Sequence, residues 1–349
     1  MSQSLPCADD FPVVSVIIPC RNERDHIEAC VHSILDQDPP KGGFEVIVAD
    51  GMSNDGTREI LQRLAENDVR LQLVDNPTGT TPCGMNAGIR KARGQYIAIF
   101  GAHCKYAPDY IRKCLELLDE HPEVCCSGGP IVSRGRGLFG RAVAAAMSHP
   151  LGVGNAKHRF PNYEGYAEGA CFPVFRREVF DNIGPYDENL PRNQDDELNY
   201  RIALHGGKIF ISPRAQCVYY VREKPSQVFW QYFQYGYWRV AVLRKHHVPA
   251  SMRQLIPIVF FFLMVLLLLI GLCLPGWWAL IAAVIPLVYA STLLLVGAQI
   301  TVKRRDAFIG PMFTLAVAVM HLAYALGFGW NMLRSKRSWI NQRFLYQGG

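Results

Sequence analysis

The chain has 349 residues, half of them hydrophobic, and its formal net charge is +6 at pH 7. This length allows one large domain plus a membrane region. Basic residues gather beside long apolar runs, so membrane lipids are expected partners and nucleic acid is not. The eleven cysteines show no paired spacing, which argues against a disulfide framework and favours reduced thiols in the cytosol.

Short β-branched runs alternate with segments of helical spacing along the first third of the chain. Strands are predicted at residues 13–18, 44–49, 69–74 and 96–100, and helices at 25–35, 57–65, 82–92 and 108–118. This alternation predicts an α/β domain with parallel strands and helices on both faces. The alternation stops near Cys126, and residues 127–168 are predicted to form a binding surface rather than a core.

Ligands of parallel sheets bind outside the carboxyl ends of the strands. The first strand runs into Pro19, Arg21 and Glu23, the second ends at Asp50, and the fourth is followed by His103. We predict that Arg21 contacts a phosphate, Glu23 a ribose or base edge, and Asp50 the N–H of a nucleobase. His103 is placed to reach the phosphates directly or through a metal. The structural alternative is a set of capped or salt-bridged helix starts.

Several common nucleotide and hydrolase motifs are missing from the chain. Neither G-x-x-x-x-G-K nor G-x-G-x-x-G follows the first strand, and G-x-S-x-G does not occur. The chain therefore lacks the main sequence motifs of phosphate-loop NTPases, dinucleotide-binding folds and serine hydrolases.

Three acidic residues, Asp195, Asp196 and Glu197, follow one another between Gln194 and Leu198. Carboxylates this close are costly to keep ionised together unless a proton, a cation or a base makes use of them. The apolar stretch at 209–211 comes soon after, which predicts a helix start at the rim of a sheet. We interpret the cluster as general-base chemistry, with a solvated acidic helix cap as the alternative.

Three apolar runs in the last third are predicted to cross a membrane, at residues 255–274, 277–300 and 307–332. Residues 226–253 have aromatic residues at helical spacings and are predicted to lie at the interface, with an ordinary docking helix as the alternative. Three full crossings would leave the basic tail outside. Either the third run re-enters or one run lies flat, and the sequence leaves this open.

These runs divide the chain into a catalytic domain at 1–225, an interfacial segment at 226–253, a membrane region at 254–333 and a basic tail at 334–349. Residues 1–12 are polar and carry no cleavable signal, so the large domain is expected on the cytoplasmic side.

The strand ends resemble those of family 2 glycosyltransferases of the GT-A fold. Four blocks carry the resemblance, in order along residues 13–247: VSVIIPCRNE at 14–23, VADGMSNDGT at 48–57, MNAGI at 85–89 and CFPVFRREVF at 171–180. Residues 192–201 and the apolar tail look most like exopolysaccharide glucosyltransferases of the succinoglycan type. The resemblance implies a GT-A domain with a mostly parallel central sheet, followed by transmembrane helices.

The resemblance also implies an activity: transfer of one sugar, with inversion, from a nucleotide sugar such as a UDP-hexose to a lipid-linked saccharide. Exopolysaccharide or cell-surface glycan synthesis at the cytoplasmic face of the inner membrane would be the setting, in contact with partner proteins of a polysaccharide assembly pathway. Asp195 matches the catalytic base and Asp50 the residue that holds uracil. The implied substrate-binding residues are Pro19, Arg21, Glu23, Asp50, Asn86, Gln194, Asp196 and Arg239.

The family's Asp-x-Asp metal motif is altered in this chain. Gly101 stands at its first position and His103 at its last. One imidazole therefore replaces two carboxylates, which suits Mg²⁺ poorly and Mn²⁺ or softer ions better. His103 remains the candidate metal ligand, and the cofactor expected from the resemblance is Mn²⁺ or Mg²⁺.

The Q-x-x-R-W motif of processive synthases is also altered. Gln234 to Trp238 has Tyr237 where Arg is expected, and Arg239 comes one place later. We interpret this as favouring single-sugar transfer. A processive synthase, a dolichyl-phosphate-type mannosyltransferase and an inactive membrane scaffold that kept the fold are the alternatives.

Overall fold

A computed structural model describes residues 12–215, 217–247, 255–273 and 276–334. The elements up to residue 134 are β1 Val14–Cys20, α1 Ile27–Leu35, β2 Phe44–Asp50, α2 Thr57–Asn67, β3 Leu71–Asp75, α3 Thr81–Lys91, β4 Tyr96–Ile99, β5 Lys105–Tyr106, α4 Tyr110–Glu120, β6 Val124–Gly129 and β7 Ile131–Arg134. They are followed by α5 Gly137–Ala146, α6 Pro150–Val153, β8 Gly165–Ala167, β9 Cys171–Arg176, α7 Glu178–Asn182, α8 Gln194–Leu204, β10 Lys208–Ile211 and β11 Cys217–Tyr220. The last four are α9 Pro225–His246, α10 Ile256–Cys273, α11 Trp277–Arg304 and α12 Ile309–Leu333.

The described residues form two compact units. The first comprises the residues up to Val132 together with Lys157–Tyr219, and the second comprises Ser133–Ala156 and the residues from Tyr220 on. The predicted division of the chain, with a boundary at residue 225, stays a prediction. The sequence analysis missed that 133–156 groups with the C-terminal helices.

An eight-stranded sheet with the order β3-β2-β1-β4-β9-β6-β10-β8 forms the centre of the first unit. The predicted parallel arrangement is confirmed for β3, β2, β1 and β4. The sheet then becomes mixed, because β9 lies antiparallel between β4 and β6, while β10 pairs parallel with β6. The edge strand β8 is antiparallel to β10.

Both faces of this sheet are covered, which explains why its central strands read as continuous apolar runs. Val16 and Ile18 of β1 pack into one core with α1, α2 and α4, whereas Ile17 packs into another with Met85 of α3 and Leu198 of α8. Every residue of β2 is buried. Strands enclosed on both faces lose the apolar–polar alternation of half-exposed strands.

The second unit contains two helices that are long and apolar enough to cross a membrane, with apolar runs at Ala279–Arg304 and Ile309–Leu333. They correspond to two of the three predicted crossings. The remaining one is shorter, because the apolar run of α10 extends only over Ile258–Cys273. The basic residues Lys303 and Arg304 end α11.

The interpretation of residues 127–168 as a binding surface is wrong for its helical part. Gly140, Ala142, Val143 and Ala146 of α5 are buried, and α5 packs against α12. Arg141 also pairs with Asp306, just before α12, at 3.0 Å. Small side chains allow this close helix contact, and they gave the segment a loop-like composition in the sequence.

The segment predicted to lie at the interface is helical and packs along α12 through α9. The helices approach closely because Gly236 faces the carbonyl oxygen of Tyr324 and Gly327 faces that of Phe233. At the end of α12, Arg244 donates to the carbonyl oxygens of Asn331 (3.1 Å) and Met332 (3.2 Å), and the Asn331 oxygen also accepts from the Arg334 N–H (3.1 Å). The docking-helix alternative describes α9; its placement at a membrane surface stays a prediction.

We expect Gly327→Ala to lower the free energy of unfolding by about 1–3 kcal/mol, because its Cβ would overlap the backbone of α9 and force the helices apart. Gly271→Ala is the matched control, since its Cβ would meet the Ala282 Cβ at 3.1 Å and backbone atoms only at ordinary contact distances of 3.7 Å and more. Thermal unfolding of both purified variants in detergent is the measurement. Equal melting temperatures would contradict the proposed backbone contact.

Three of the sequence predictions fall on residues outside this description. They concern the polar N-terminus up to residue 11, residues 248–254 of the interfacial segment, and the basic tail beyond Arg334. Among the ten cysteines in the described parts of the chain, all are free thiols, as the sequence predicted.

Candidate active site

The loops after β1 and β2 are joined by hydrogen bonds into one edge of the sheet. The Asn22 backbone N–H donates to Ser53 Oγ (2.9 Å), the Asn54 N–H to Asn22 Oδ1 (3.1 Å), and the Glu23 N–H to Thr57 Oγ1 (2.8 Å). Asn22 has a φ of +54°, a left-handed conformation that Asn tolerates better than most residues. These bonds fix where the side chains on either side of Asn22 point.

Asp50 ends β2 and is fully buried. Its carboxylate accepts from the Ser53 N–H (3.2 Å) and hydroxyl (2.6 Å) and from Arg58 Nη1 (3.0 Å). Arg58 also donates to Asp75 at the end of β3 (2.6 Å). The observed contacts of Asp50 are therefore internal and hold the loop after β2, and its contact with a nucleobase stays a prediction. The sequence analysis missed Arg58.

Arg21 is exposed and lies across the ends of β1 and β2. A Cβ at Gly51 would come within 3.0 Å of Arg21 Cβ, and a Cβ at Gly79 would overlap the guanidinium. Two glycines thus make room for this side chain, which is placed where a phosphate or base could reach it. Pro19 lies in β1 beneath this edge, against Gly84 of α3. The sequence analysis did not recognise the role of Gly79.

His103, which follows β4, pairs with Glu23, which follows β1. The two residues were predicted to lie at the same edge of the sheet. His103 Nδ1 lies 3.2 Å from Glu23 Oε1, and the two side chains are 44% and 24% exposed. Because Nδ1 faces the carboxylate, Nε2 is the nitrogen placed for a ligand. In the described parts of the chain, no group of three or more His, Cys, Asp or Glu side chains could hold a metal ion. The protein donors at this edge therefore do not fit a resident metal.

The acidic cluster begins a helix at the predicted place, since α8 starts at Gln194 and Asn193 precedes it in the left-handed region (φ +60°). Asp195 is exposed in the first turn, where the helix dipole interacts favourably with carboxylates. The Asp196 N–H donates to Asp195 Oδ1 at 2.9 Å. Gln194 Oε1 is enclosed without a hydrogen-bond partner among the described residues.

The third acid of the cluster, Glu197, has a structural role. It is fully buried and accepts from Arg201 Nε at 3.0 Å. Arg201 in turn donates to the carbonyl oxygens of Ile183 (2.7 Å) and Pro185 (2.7 Å). The pair anchors the turn before the acidic cluster to α8. Only two of the three carboxylates are thus available for chemistry, which the sequence spacing did not reveal.

Asn86 is buried, and the observed bonds tie it to the same turn. Its amide donates to the carbonyl oxygen of Tyr186 (2.9 Å) and to Glu188 Oε1 (3.0 Å), and its Oδ1 accepts from the Tyr186 N–H (3.0 Å). Asn86 therefore connects α3 to the turn that leads to Asp195. Its direct contact with a substrate stays a prediction.

The Cys171 thiol begins β9, and burial is the main influence on its ionisation. Burial raises its pKa to about 12; the positive charge of Arg159 acts against this, and Asp195 and Cys104 act with it. Burial also raises the pKa of Tyr186, and Asp195 adds to that effect.

Arg159 is a further candidate that the sequence predictions did not include. Its positive charge opposes the rise in the pKa of the Cys171 thiol, and its guanidinium carbon lies 6.0 Å from the ring centroid of Tyr219. The basic run Lys157-His158-Arg159 was the available signal. Arg239, by contrast, lies in α9 of the second unit, and its contact with a donor stays a prediction.

The described geometry can be compared with known proteins. The family model described as glycosyl transferase family 2 matches residues 15–184. The chain is 33% identical to the succinoglycan biosynthesis protein ExoA of Rhizobium meliloti (strain 1021), over 92% of this chain and 96% of that protein. It is 25% identical to a dolichyl N-acetyl-α-D-glucosaminyl phosphate 3-β-D-2,3-diacetamido-2,3-dideoxy-β-D-glucuronosyltransferase of Methanococcus voltae, over 74% of this chain and 82% of that protein.

Among solved structures, the mannosyltransferase PcManGT from Pyrobaculum calidifontis is similar to this chain, with a TM-score of 0.60 and 21% identity. The match covers 92% of this chain and 88% of that one, whose structure contains GDP-Man and Mn²⁺. The predicted GT-A fold is confirmed.

Proposed function

The chain belongs to glycosyl transferase family 2, and from that premise we propose that it transfers one hexose, with inversion, from a UDP-sugar to a lipid-linked saccharide. One observation carries the proposal. Asp195 is an exposed carboxylate in the first turn of α8, and hydrogen bonds from Asn86 and Arg201 hold the turn that precedes it. A fixed and exposed proton acceptor is what a direct displacement requires, and we propose that the His103 imidazole faces the phosphates of the donor.

In the proposed reaction, Asp195 takes the proton of an acceptor hydroxyl as that oxygen attacks the anomeric carbon. The bond from this carbon to the diphosphate oxygen breaks on the opposite face, so the anomeric configuration inverts. The nucleoside diphosphate leaves with the bonding electron pair. Arg21 and Arg159 are the cations that we assign to its developing negative charge.

Gln194 and Asp196 flank the base, and we assign both to orienting the acceptor or the transferred sugar. The enclosed Oε1 of Gln194 supports this assignment, because a buried acceptor without a partner is costly until a substrate hydroxyl donates to it. Pro19, Glu23 and Asp50 are assigned to the nucleoside end through the hydrogen-bonded loops at that edge.

No step of the reaction is assigned to a metal, because His103 and Glu23 are too few donors to hold one. We propose that Mn²⁺ or Mg²⁺ binds only together with a diphosphate, whose oxygens would supply most of its ligands. Calorimetry with MnCl₂ should therefore show binding in the presence of UDP and none in its absence. Tight Mn²⁺ binding to the protein alone would contradict this proposal.

The acceptor is proposed from the second unit and from the relatives. Two helices could cross a membrane, one relative is named for succinoglycan biosynthesis, and another for transfer to a dolichyl-linked sugar. We propose a multi-pass protein of the inner membrane whose catalytic unit is cytoplasmic. Its products would pass to other proteins of an exopolysaccharide assembly pathway.

The test is a donor screen on the full purified chain, with UDP-glucose, UDP-galactose, UDP-N-acetylglucosamine and GDP-mannose. GDP-mannose is included because the structural relative was solved with that donor. Each donor is offered with lipid-linked saccharides and with the same saccharides free. We expect transfer of one sugar from a UDP donor to the lipid-linked form, and inversion at the anomeric carbon by NMR.

Other outcomes would favour the alternatives. Long products would indicate a processive synthase, and transfer from GDP-mannose directly to a lipid phosphate would indicate the mannosyltransferase alternative. Absence of donor binding in calorimetry would indicate an inactive scaffold. Equal use of free and lipid-linked acceptors would contradict the proposed role of the membrane unit.

A further inference from the structure

Phe172 has a strained backbone close to the site. Its φ is +48°, a left-handed conformation that is a clear outlier for a bulky residue. It is the second residue of β9, where the register with β6 shifts between Ser127 and Gly129. Bulges beside active sites often re-aim a side chain, and strained residues cluster where they serve a function.

The surrounding structure holds Phe172 in this conformation. The hydroxyl of Tyr110, a fully buried residue, lies 3.0 Å from the carbonyl oxygen of Cys171 and 3.0 Å from that of Phe172. The Phe172 ring meets Tyr106 edge-on, with 5.4 Å between ring centroids. The strain is therefore maintained by specific contacts on both the backbone and the ring.

The ring occupies the space that a side chain at position 101 would need. A Cβ built on Gly101 would lie 3.0 Å from Phe172 Cε1. The backbone of Gly101 has little freedom to move away, because its N–H donates to the Tyr106 hydroxyl (2.7 Å) and its carbonyl oxygen accepts from Cys30 Sγ (3.3 Å). The Phe172 ring and a side chain at 101 thus compete for one volume.

Phe172 also lies beside the segment that carries His103. A Cβ on Gly101, two residues before His103, would meet the Phe172 ring. In the proposed reaction, the transferred sugar must lie between the proton acceptor and the diphosphate. We place the sugar beside the partly buried Phe172 ring, because the ring neighbours the segment whose His103 is assigned to the diphosphate.

We propose that Phe172 is a specificity-determining residue that packs against the transferred sugar and replaces a side chain at position 101. Aromatic rings bind the C–H face of a pyranose through dispersion and the quadrupole of the ring. The site would then hold the sugar by an apolar wall rather than by a carboxylate. This inference rests on the proposed function, because it names the residue that recognises the sugar in the same site.

The test compares the binding of UDP-glucose with that of UDP, by calorimetry on the full chain; GDP-mannose and GDP replace them if the donor screen selects mannose. Phe172→Ala should weaken binding of the nucleotide sugar about five- to tenfold relative to binding of the nucleoside diphosphate. Phe172→Tyr should keep the wild-type ratio, because it keeps the ring.

Phe172→Gly distinguishes a purely structural role of Phe172 from sugar recognition, because it removes the ring and also relieves the backbone strain. We expect Phe172→Gly and Phe172→Ala to have the same ratio of nucleotide-sugar affinity to nucleoside-diphosphate affinity. The melting temperature of Phe172→Gly should be no lower than that of Phe172→Ala. An unchanged ratio in both variants would overturn the inference while leaving the proposed function intact. If the wild-type protein bound no nucleotide sugar, the proposed function itself would fail.

A double variant tests the competition for volume. Gly101→Asp alone should lose most donor affinity, because its side chain displaces the ring. Gly101→Asp with Phe172→Ala should recover UDP binding and gain Mn²⁺ binding that is measurable by electron paramagnetic resonance. A double variant that binds UDP no better than Gly101→Asp would show that the ring does not fill this volume.

Discussion

Replacing Asp195 with asparagine should lower turnover by about 10²–10⁴-fold, the usual contribution of a positioned general base. The amide keeps the size of the side chain but cannot accept the acceptor's proton. Affinity for the UDP-sugar should remain unchanged, because the proposed role of Asp195 is on the acceptor and its side chain is exposed in the first turn of α8. Single-turnover kinetics with the donor and acceptor found in the screen, combined with donor calorimetry, separates the two effects.

Asp119→Asn is the matched control, since it makes the same change at an exposed carboxylate in α4. We expect this control to transfer sugar at the wild-type rate. An Asp195→Asn variant with normal transfer would remove Asp195 from the mechanism. A variant that also lost donor binding would instead indicate that the first turn of α8 contacts the donor.

Replacing Glu197 with alanine should destabilise the first unit by about 3–5 kcal/mol, because it leaves the Arg201 charge in a buried setting without its carboxylate. The arginine would then hold the carbonyl oxygens of Ile183 and Pro185 without a counter-charge. Chemical denaturation of the purified protein, followed by tryptophan fluorescence or circular dichroism, is the measurement. Loss of this pair should also disorder the turn before Asp195 and reduce turnover.

Glu28→Ala provides the control for this buried pair. Glu28 and Arg63 also form an arginine–glutamate bridge, at 3.0 Å, but both side chains are at least half exposed. Exposed pairs contribute about 0–1 kcal/mol, so this variant should be nearly as stable as the wild type. Similar losses for Glu28→Ala and Glu197→Ala would contradict the role of burial at Glu197.

The sequence alone identified the elements that are defined by local pattern. The four parallel strands and the helices between them were predicted because apolar runs and helical spacing are properties of neighbouring residues. The start of α8 and the shared edge of Glu23 and His103 followed from the same logic. Once strands are parallel, their carboxyl ends meet at one edge.

Other features depended on residues that are distant in sequence. The antiparallel insertion of β9 between β4 and β6 carries no local signal, because strand partners are chosen by the assembled sheet. Likewise, the small residues of α5 read as a loop until α12 is placed against them. Composition cannot distinguish a helix that packs closely from a flexible surface segment.

The sequence by itself determined which residues are candidates for the chemistry: the acidic cluster at 195–197, the polar groups at the strand ends, and an altered pair at 101 and 103. Only the tertiary structure decided which of them face outward. It buried Glu197 against Arg201, enclosed Asp50 with Ser53 and Arg58, and set the Phe172 ring against Gly101. The physical reason is that the burial and the partners of a side chain depend on the packing of the whole unit, whereas its chemical nature is given by the residue type alone.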